Sequence, residues 1–368
     1  MSVHYHLGAF PPLDLNWQKL IKPIADAPDA IGRYDSYLGI IPNPQLLLSP
    51  MLVNEAVTSS RIEGTHTTVH EVLAFDAGKT DVTDAQKADI QEVNNYRLAL
   101  NSSLRMLETL PISGRVLRSA HEILLDGVRG QFKSPGKYRV EQNWIGRSNK
   151  IEEARYVPIP PDELEDAMAK WEKYVNESED HPLIKIAVTH AEFEAIHPFN
   201  DGNGRIGRIV IPLMLCAEGG VMSLPCFYMS EFFEHRNNEY QDRLLAVSSD
   251  GDWTGWCSFF LEAAAAQARE NLGKAKQINL LYRDVRMGLV EESHSTFAEK
   301  AADALFSRPI FSARDFASEE GVKPKTARRL LGTLEEMGVV EELSPHSGQR
   351  SAIFYFPALL AITEDLQS

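Results

Sequence analysis

The sequence predicts a mainly α protein with one small β-hairpin, followed by a C-terminal winged helix-turn-helix unit. Three observations carry this. Apolar residues recur at three- and four-residue spacing over most of residues 50–285, the mark of amphipathic helices. Residues 138–160 instead hold two strand-like runs, KYRVEQNWI and ARYVPIP, on either side of GRSNKIEE. That is the pattern of a hairpin with a longer loop. From residue 295 the texture changes to helix, turn, helix and two strands.

Residues 1–50 are rich in proline and apolar residues, with turn signals such as IPNP. The first long helix is expected from Pro50 to Glu63. Gly64 stops it, because glycine enters the left-handed C′ conformation cheaply. Helical spacing follows near 84–109, 114–128 and 161–178, then at 182–196, 204–217, 230–247 and 253–285. The 182–196 helix opens on Pro182, suited to a first turn. Its residues Ile184, Ala187, Val188, Ala191 and Ala195 make it largely buried. Three regions result: 1–110, 111–290 and 295–368.

Bulk properties narrow the function. A chain of 368 residues can hold two or three domains. Its net charge of −15 argues against nucleic acid as a whole-surface partner. Cys216, Cys226 and Cys257 have no ligand-like spacing and read as buried small hydrophobes in a reducing compartment. The start lacks a signal-peptide pattern, and no apolar run approaches the ~18 residues of a membrane span. A cytoplasmic protein without a membrane partner is expected.

The chemistry concentrates in HPFNDGNGRIGR, from His197 to Arg208. It links two apolar helices and carries far more polar equipment than a turn needs. Gly202 and Gly204 allow backbone N–H groups to face a ligand, and a helix N-terminus favours an anion there. Arg205 and Arg208, three apart, add two permanent cations on one face. Asp201 offers a hard oxygen to Mg²⁺ shared with phosphates. Asn203 is a donor for a phosphate oxygen. His197 is the group able to take a proton near neutral pH. The set points to phosphoryl-type chemistry. Neither a Walker loop nor a dinucleotide-binding turn fits the glycine spacing.

This stretch resembles the H-x-F-x-[DE]-G-N-G-R-x-x-R signature of the Fic family at every fixed position. The resemblance implies a Fic-type helical core that moves AMP from ATP onto a Ser, Thr or Tyr hydroxyl of a target protein. His197 would be the base, Phe199 the loop's anchor, and Asp201 the Mg²⁺ ligand. Gly202, Asn203, Gly204, Arg205, Ile206, Gly207 and Arg208 would surround the phosphates. Gly204 argues against the family's kinase branch. A second stretch, SSRIEG, resembles the family's inhibitory motif through Ser59, Glu63 and Gly64. It makes residues 50–64 an inhibitory helix whose Glu63 would take Arg208 from the γ-phosphate. In some relatives the same glutamate serves AMP removal.

The hairpin then corresponds to a target-docking flap, with Trp144, Ile145 and Gly146 near its turn and an edge open to β-augmentation. In EFFEHRNNEYQDRLLAVSSDGDW, the resemblance puts Tyr240, Gln241 and Ser248 on the adenine side. Self-modification and a homodimer are compatible with the resemblance. A rival reading is a DNA-binding regulator with the Fic core as nucleotide sensor. Lys323, Lys325, Arg328 and Arg329 cluster where a recognition helix would start. Residues 295–368, however, hold 8 basic against 11 acidic residues, net −3, whereas DNA-binding domains are basic.

Overall fold

A computed structural model of the chain describes residues 2–363, apart from 147, 149, 218, 219, 319–321 and 349. Helix makes up 64% of the protein, about twice the usual globular share. Two compact units form, each from interleaved stretches. One comprises Met1–Asp35, Thr58–Gly64 and Asn94–Arg269; the other Ser36–Val57, Thr65–Val93 and Glu270–Ser368.

The chain opens with strand β1 (Val3–His4) and helices α1 (Trp17–Leu38), α2 (Pro44–Leu47), α3 (Ser49–Ile62), α4 (Val69–Asp76), α5 (Asp84–Met106) and α6 (Gly114–Leu124). α1 lies in the proline-rich stretch before IPNP, ahead of the first long helix expected at Pro50. Pro23 and Pro28 lie inside it, and an interior proline costs ~3 kcal/mol. Burial offsets this. Leu20, Ala27, Ile31, Tyr34 and Leu38 recur at helical spacing and are each 0–1% exposed; a fully buried large apolar side chain contributes roughly 1.5–3 kcal/mol. α3 ends one residue before Glu63, and Gly64 takes φ +92°. α4 was not foreseen. It starts on a capping box, in which Thr68 Oγ1 accepts the Glu71 N–H and Glu71 accepts the Thr68 N–H.

Strand β2 (Tyr156–Val157) follows, then helices α7 (Leu164–Glu177), α8 (Pro182–Ile196), α9 (Asn203–Cys216), α10 (Ser230–His235), α11 (Asn237–Asp250) and α12 (Trp253–Ser293). One helix was expected over 230–247; Arg236, at φ −115° and ψ 34°, divides it. Cys226 and Cys257 are buried and Cys216 half-buried, all as free thiols. Burial pushes each thiol up to about 12, so none is a ready nucleophile.

The expected hairpin over 138–160 contracts to one antiparallel bridge, Ile145 to Tyr156; residues 147 and 149 of its loop lie outside the described residues. Two causes act against a ladder. Pro158 and Pro160 have no N–H to donate. The buried Arg139 guanidinium takes the carbonyls of Glu141, Ile159, Ile196 and His197. The far edge of β2 is also occupied, by β1 running parallel to it.

In the second unit the chain continues as α13 (Ala298–Ser307), β3 (Ile310–Ser312), α14 (Ala313–Ala317), α15 (Pro324–Glu336), β4 (Glu341–Ser344), β5 (Ile353–Tyr355) and α16 (Pro357–Thr363). The strands form an antiparallel sheet in the order β3-β5-β4. Phe306, Phe311, Leu330, Leu334, Phe354 and Phe356 fill its core. The turn expected between the two helices of the motif, 319–321, and the last residues, 364–368, lie outside the described residues. Among the described residues, no helix is long and apolar enough to cross a membrane.

Candidate active site

α8 and α9 meet at the polar loop. α8 ends where His197 turns into the left-handed region, φ 51° and ψ 62°. A non-glycine residue there is strained and persists because its surroundings hold it. Those surroundings are explicit. Arg139 donates through Nε to the His197 carbonyl at 3.0 Å and through its backbone N–H to the Pro198 carbonyl at 2.9 Å. His197 Nδ1 lies 3.3 Å from the Glu194 carbonyl. Donation from Nδ1–H to that carbonyl leaves Nε2 with its lone pair, as a base requires.

Gly202, at φ +75°, is the N-cap of α9, and the first turn of α9 begins an anion cradle. Phe199 is 0% exposed and plugs the loop into the core. Asn203 spends its side chain locally: Oδ1 accepts the Phe199 N–H and Nδ2 donates to the Phe199 carbonyl, both at 2.8 Å. These two bonds shape the loop. Asp201 Oδ1 accepts the Gly202 N–H at 2.7 Å. Its Oδ2 would lie 2.8 Å from a Cβ on Gly130, which has φ +93°; glycine at 130 leaves that space open beside the carboxylate.

Ser59 and Glu63 come directly to this cradle. Arg208 is 2% exposed. Its Nε donates to Ser59 Oγ, and its second amino group to the Ser59 carbonyl and Glu63 Oε1, each at 2.8 Å. Nε and one amino group of Arg208 thus meet α3 and Glu63, while the other amino group faces Gly204. The space is tight: a Cβ on Gly204 would sit 2.2 Å from Glu63 Oε1 and 3.0 Å from an Arg208 amino group. Gly204 therefore serves close approach, since its φ is ordinary.

A cavity of about 410 Å³ opens beside the clamp. Its lining includes Glu63, His197, Gly204 and Arg208 at one end, and Trp144, Ile145, Gly146, Tyr240, Gln241 and Leu244 at the other. His197, the Arg208–Glu63 contact, Trp144, Ile145 and Gly146, and Tyr240 and Gln241 thus share one chamber. Ile206, Gly207 and Ser248 are elsewhere. Ile206 is 0% exposed in the core. Gly207 makes room for Glu194, whose Oε1 would be 2.2 Å from a Cβ there. Ser248 bonds His6 and Tyr156. Asp201, Asn203 and Arg205 are not among the lining residues, and Arg205 is 1% exposed.

Glu194, His190, His121 and Arg139 were not picked out from the sequence. His190 bridges the Gly207 carbonyl at 2.9 Å and the Tyr240 hydroxyl at 2.8 Å, fixing the chamber's far wall to α9. A lone His or Glu on an apolar helix face carries no spacing signal, so only contacts reveal it.

Burial governs the titrations here. It would raise the Glu63 carboxyl, but the charge and hydrogen bond of Arg208, with help from Arg205 and His197, hold it below its ordinary value. Burial drops His197 to about 4 despite its bond to Glu194 and the charge of Glu63. The imidazole is therefore neutral at pH 7. The ring resonances of His197 followed by NMR should titrate near 4; a midpoint near 6.5 would contradict the buried placement.

Burial also raises Glu194 to about 7, with Arg208 opposing and Glu63 adding. Its Oε1 is buried with no hydrogen-bond partner. Between pH 4.5 and 7 the folded state keeps a proton that the unfolded state has lost. Stability therefore falls as pH rises through that window. Glu194→Gln cannot ionise. It should be more stable than the parent at pH 8, by at most about 2–3 kcal/mol, and nearly equal at pH 5. Urea melts at the two pH values read this; an equal difference at both would refute it.

Residues 21–105 match the Fic/DOC family N-terminal model, and residues 111–215 match the Fic/DOC family model. "Protein adenylyltransferase Fic" of Culex quinquefasciatus is 26% identical over 199 residues, which is 53% of this chain and 32% of that protein. The chain spans about a third of the length of the curated relatives it matches. A Fic family protein from Desulfovibrio desulfuricans G20 shares the fold with a TM-score of 0.61 at 23% identity, over 94% of this chain and 98% of that one. Fic-1 (aa134 - 508) from C. elegans does so at 0.51 and 17% identity, over 70% and 72%. The two family matches together cover just over half of the chain and take in both the clamp residues and the polar loop: the chain belongs to the Fic/DOC family.

Proposed function

We propose that the protein transfers AMP from ATP to a hydroxyl side chain of a target protein, and that Glu63 restrains it. The observation that carries this is the meeting of His197, Gly204, Arg208 and Glu63 at one end of a nucleotide-sized chamber. The adenylyltransferase names of the curated relatives support it. The C. elegans protein among the structural neighbours adds only the fold.

Transfer is in-line displacement at the α-phosphorus. His197 Nε2 takes the proton of the attacking hydroxyl, the new bond forms to the α-phosphorus, and pyrophosphate leaves. Positioning and charge do most of the work, as in other phosphoryl transfers. Arg208, once released, binds the terminal phosphate. Among the described residues no cluster of three metal-ligating side chains exists. A Mg²⁺ ion here would rest on Asp201 and share phosphate oxygens, the usual arrangement for this cation. The carboxylate and the Cβ-free space at Gly130 fit it. Bound there, it would neutralise charge on the leaving group.

The target segment would pair with the outer edge of the flap at Trp144 and Gly146, since the N–H and carbonyl of Ile145 are taken by Tyr156 and Arg155. We read α13 to β5 as a winged helix, from the order helix, strand, helix, helix, strand, strand. The regulator reading gains nothing here, since Arg329 of its basic cluster donates to the Ser293 carbonyl.

The test is mass spectrometry of a cell extract incubated with ATP, Mg²⁺ and the Glu63→Gln chain. One or more proteins, this chain included, should gain a single AMP on Ser, Thr or Tyr. Gain of phosphate alone, or of nothing, would overturn the proposal.

A further inference from the structure

His121 on α6 lies outside both motifs, 80 residues before Asp201, and is 0% exposed. Its Nδ1 accepts the Gly136 N–H at 2.9 Å. That role fixes the tautomer: the proton is on Nε2, which donates to the Asp201 carbonyl at 2.9 Å. The ring lies flat on Phe199, with centroids 3.9 Å and planes 8° apart. Its Cδ2 would be 3.6 Å from a Cβ on Gly202. One imidazole thus touches Phe199, Asp201 and Gly202.

The consequence follows from peptide geometry. In a trans peptide the carbonyl and the next N–H point opposite ways. His121 holds the Asp201 carbonyl on one side, so the Gly202 N–H faces the other, where it binds Asp201 Oδ1 at 2.7 Å. The carboxylate is aimed by a peptide that His121 aims. Meanwhile Gly136, held on the opposite ring nitrogen, anchors the segment whose Gly130 leaves room beside Asp201 Oδ2.

We propose that His121 is a positioning residue for the metal and phosphate end of the site, acting through the Asp201–Gly202 peptide. This rests on the reading of Asp201 as the Mg²⁺ ligand. Partners that orient a ligand typically change metal affinity about 10–100-fold when lost.

The test measures binding, not transfer. ADP is titrated into the full chain carrying Glu63→Gln, over a range of Mg²⁺ concentrations, with melting temperature read in parallel. His121→Phe keeps the stacking and loses both hydrogen bonds. It should raise the Mg²⁺ concentration for half-maximal ADP binding by about 10-fold. His121→Gln restores a donor for the Asp201 carbonyl and should return to within about 3-fold, since one neutral hydrogen bond is worth ~1 kcal/mol. Should the Phe variant not fold, His121→Asn carries the same expectation, because it can serve Gly136 but is too short for Asp201. The proposal is overturned if these variants lose melting temperature yet keep the parent's Mg²⁺ dependence. It is equally overturned if Gln shifts that dependence as far as Phe or Asn. A parent that binds Mg²⁺ and ADP but never transfers AMP would sink the proposed activity alone.

Discussion

Glu63→Gln raises AMP transfer roughly tenfold or more over the parent chain. Arg208 lines the chamber beside Gly204, and it is held at 2.8 Å by Ser59 Oγ, the Ser59 carbonyl and Glu63 Oε1. Ser59 belongs to α3 and cannot swing away alone, but Glu63 lies past the helix end and is about a third exposed. The carboxylate is the movable part of the clamp. A charge-assisted contact is typically worth ~1.5–3 kcal/mol, and solvent at Glu63 trims it toward the lower figure. Loss of ~1.4 kcal/mol shifts the competent population tenfold. Gln keeps the shape and removes the charge, whereas Glu63→Gly also loosens a helix end by ~1 kcal/mol. Initial rates of label incorporation read the effect. Equal rates in parent and Gln variant, with ATP bound by both, would make Glu63 a bystander.

His197→Ala in the Glu63→Gln background abolishes that gain. The imidazole is the group whose Nε2 is left unprotonated by the Nδ1 contact to the Glu194 carbonyl, and general-base help is worth roughly 10²–10⁴-fold. ATP affinity should stay within about threefold, because the phosphate cradle comes from α9. The strain at His197 complicates Ala little: the residue's left-handed backbone is held by Arg139, not by its own side chain. Single-turnover rates beside calorimetric ATP binding separate the two roles. Residual transfer above a tenth of the Glu63→Gln rate would remove His197 from the chemistry.

Legibility in the sequence varied with the type of signal. The loop was readable because its chemistry is contiguous: His197 to Arg208 need no tertiary information to be seen together. Ser59 and Glu63 were readable through a motif, and the resemblance alone implied the contact across the 145 residues that separate Glu63 from Arg208. α8 and α9 followed from apolar spacing and Pro182. α1 was lost because Pro23 and Pro28 outweighed the buried face of Leu20, Ala27, Ile31 and Tyr34. The flap was over-read, since Tyr138–Ile145 has strand composition but Arg139 gives the neighbouring carbonyls a side-chain donor instead of a strand. His121, His190 and Glu194 were invisible: each works through a backbone atom or a glycine distant in sequence. The contacts of Ser248 to His6 and Tyr156 were equally unreadable.

The central claim is that Glu63 holds the guanidinium that the terminal phosphate of ATP needs. Comparing ATP and ADP affinities by calorimetry, in parent and Glu63→Gln chains, tests it most directly. In the parent the γ-phosphate finds Arg208 occupied, so ATP and ADP should bind within about twofold of each other. In Glu63→Gln the γ-phosphate gains a charged partner, and ATP should bind roughly tenfold tighter than ADP. The same ATP-to-ADP ratio in both chains would contradict the account.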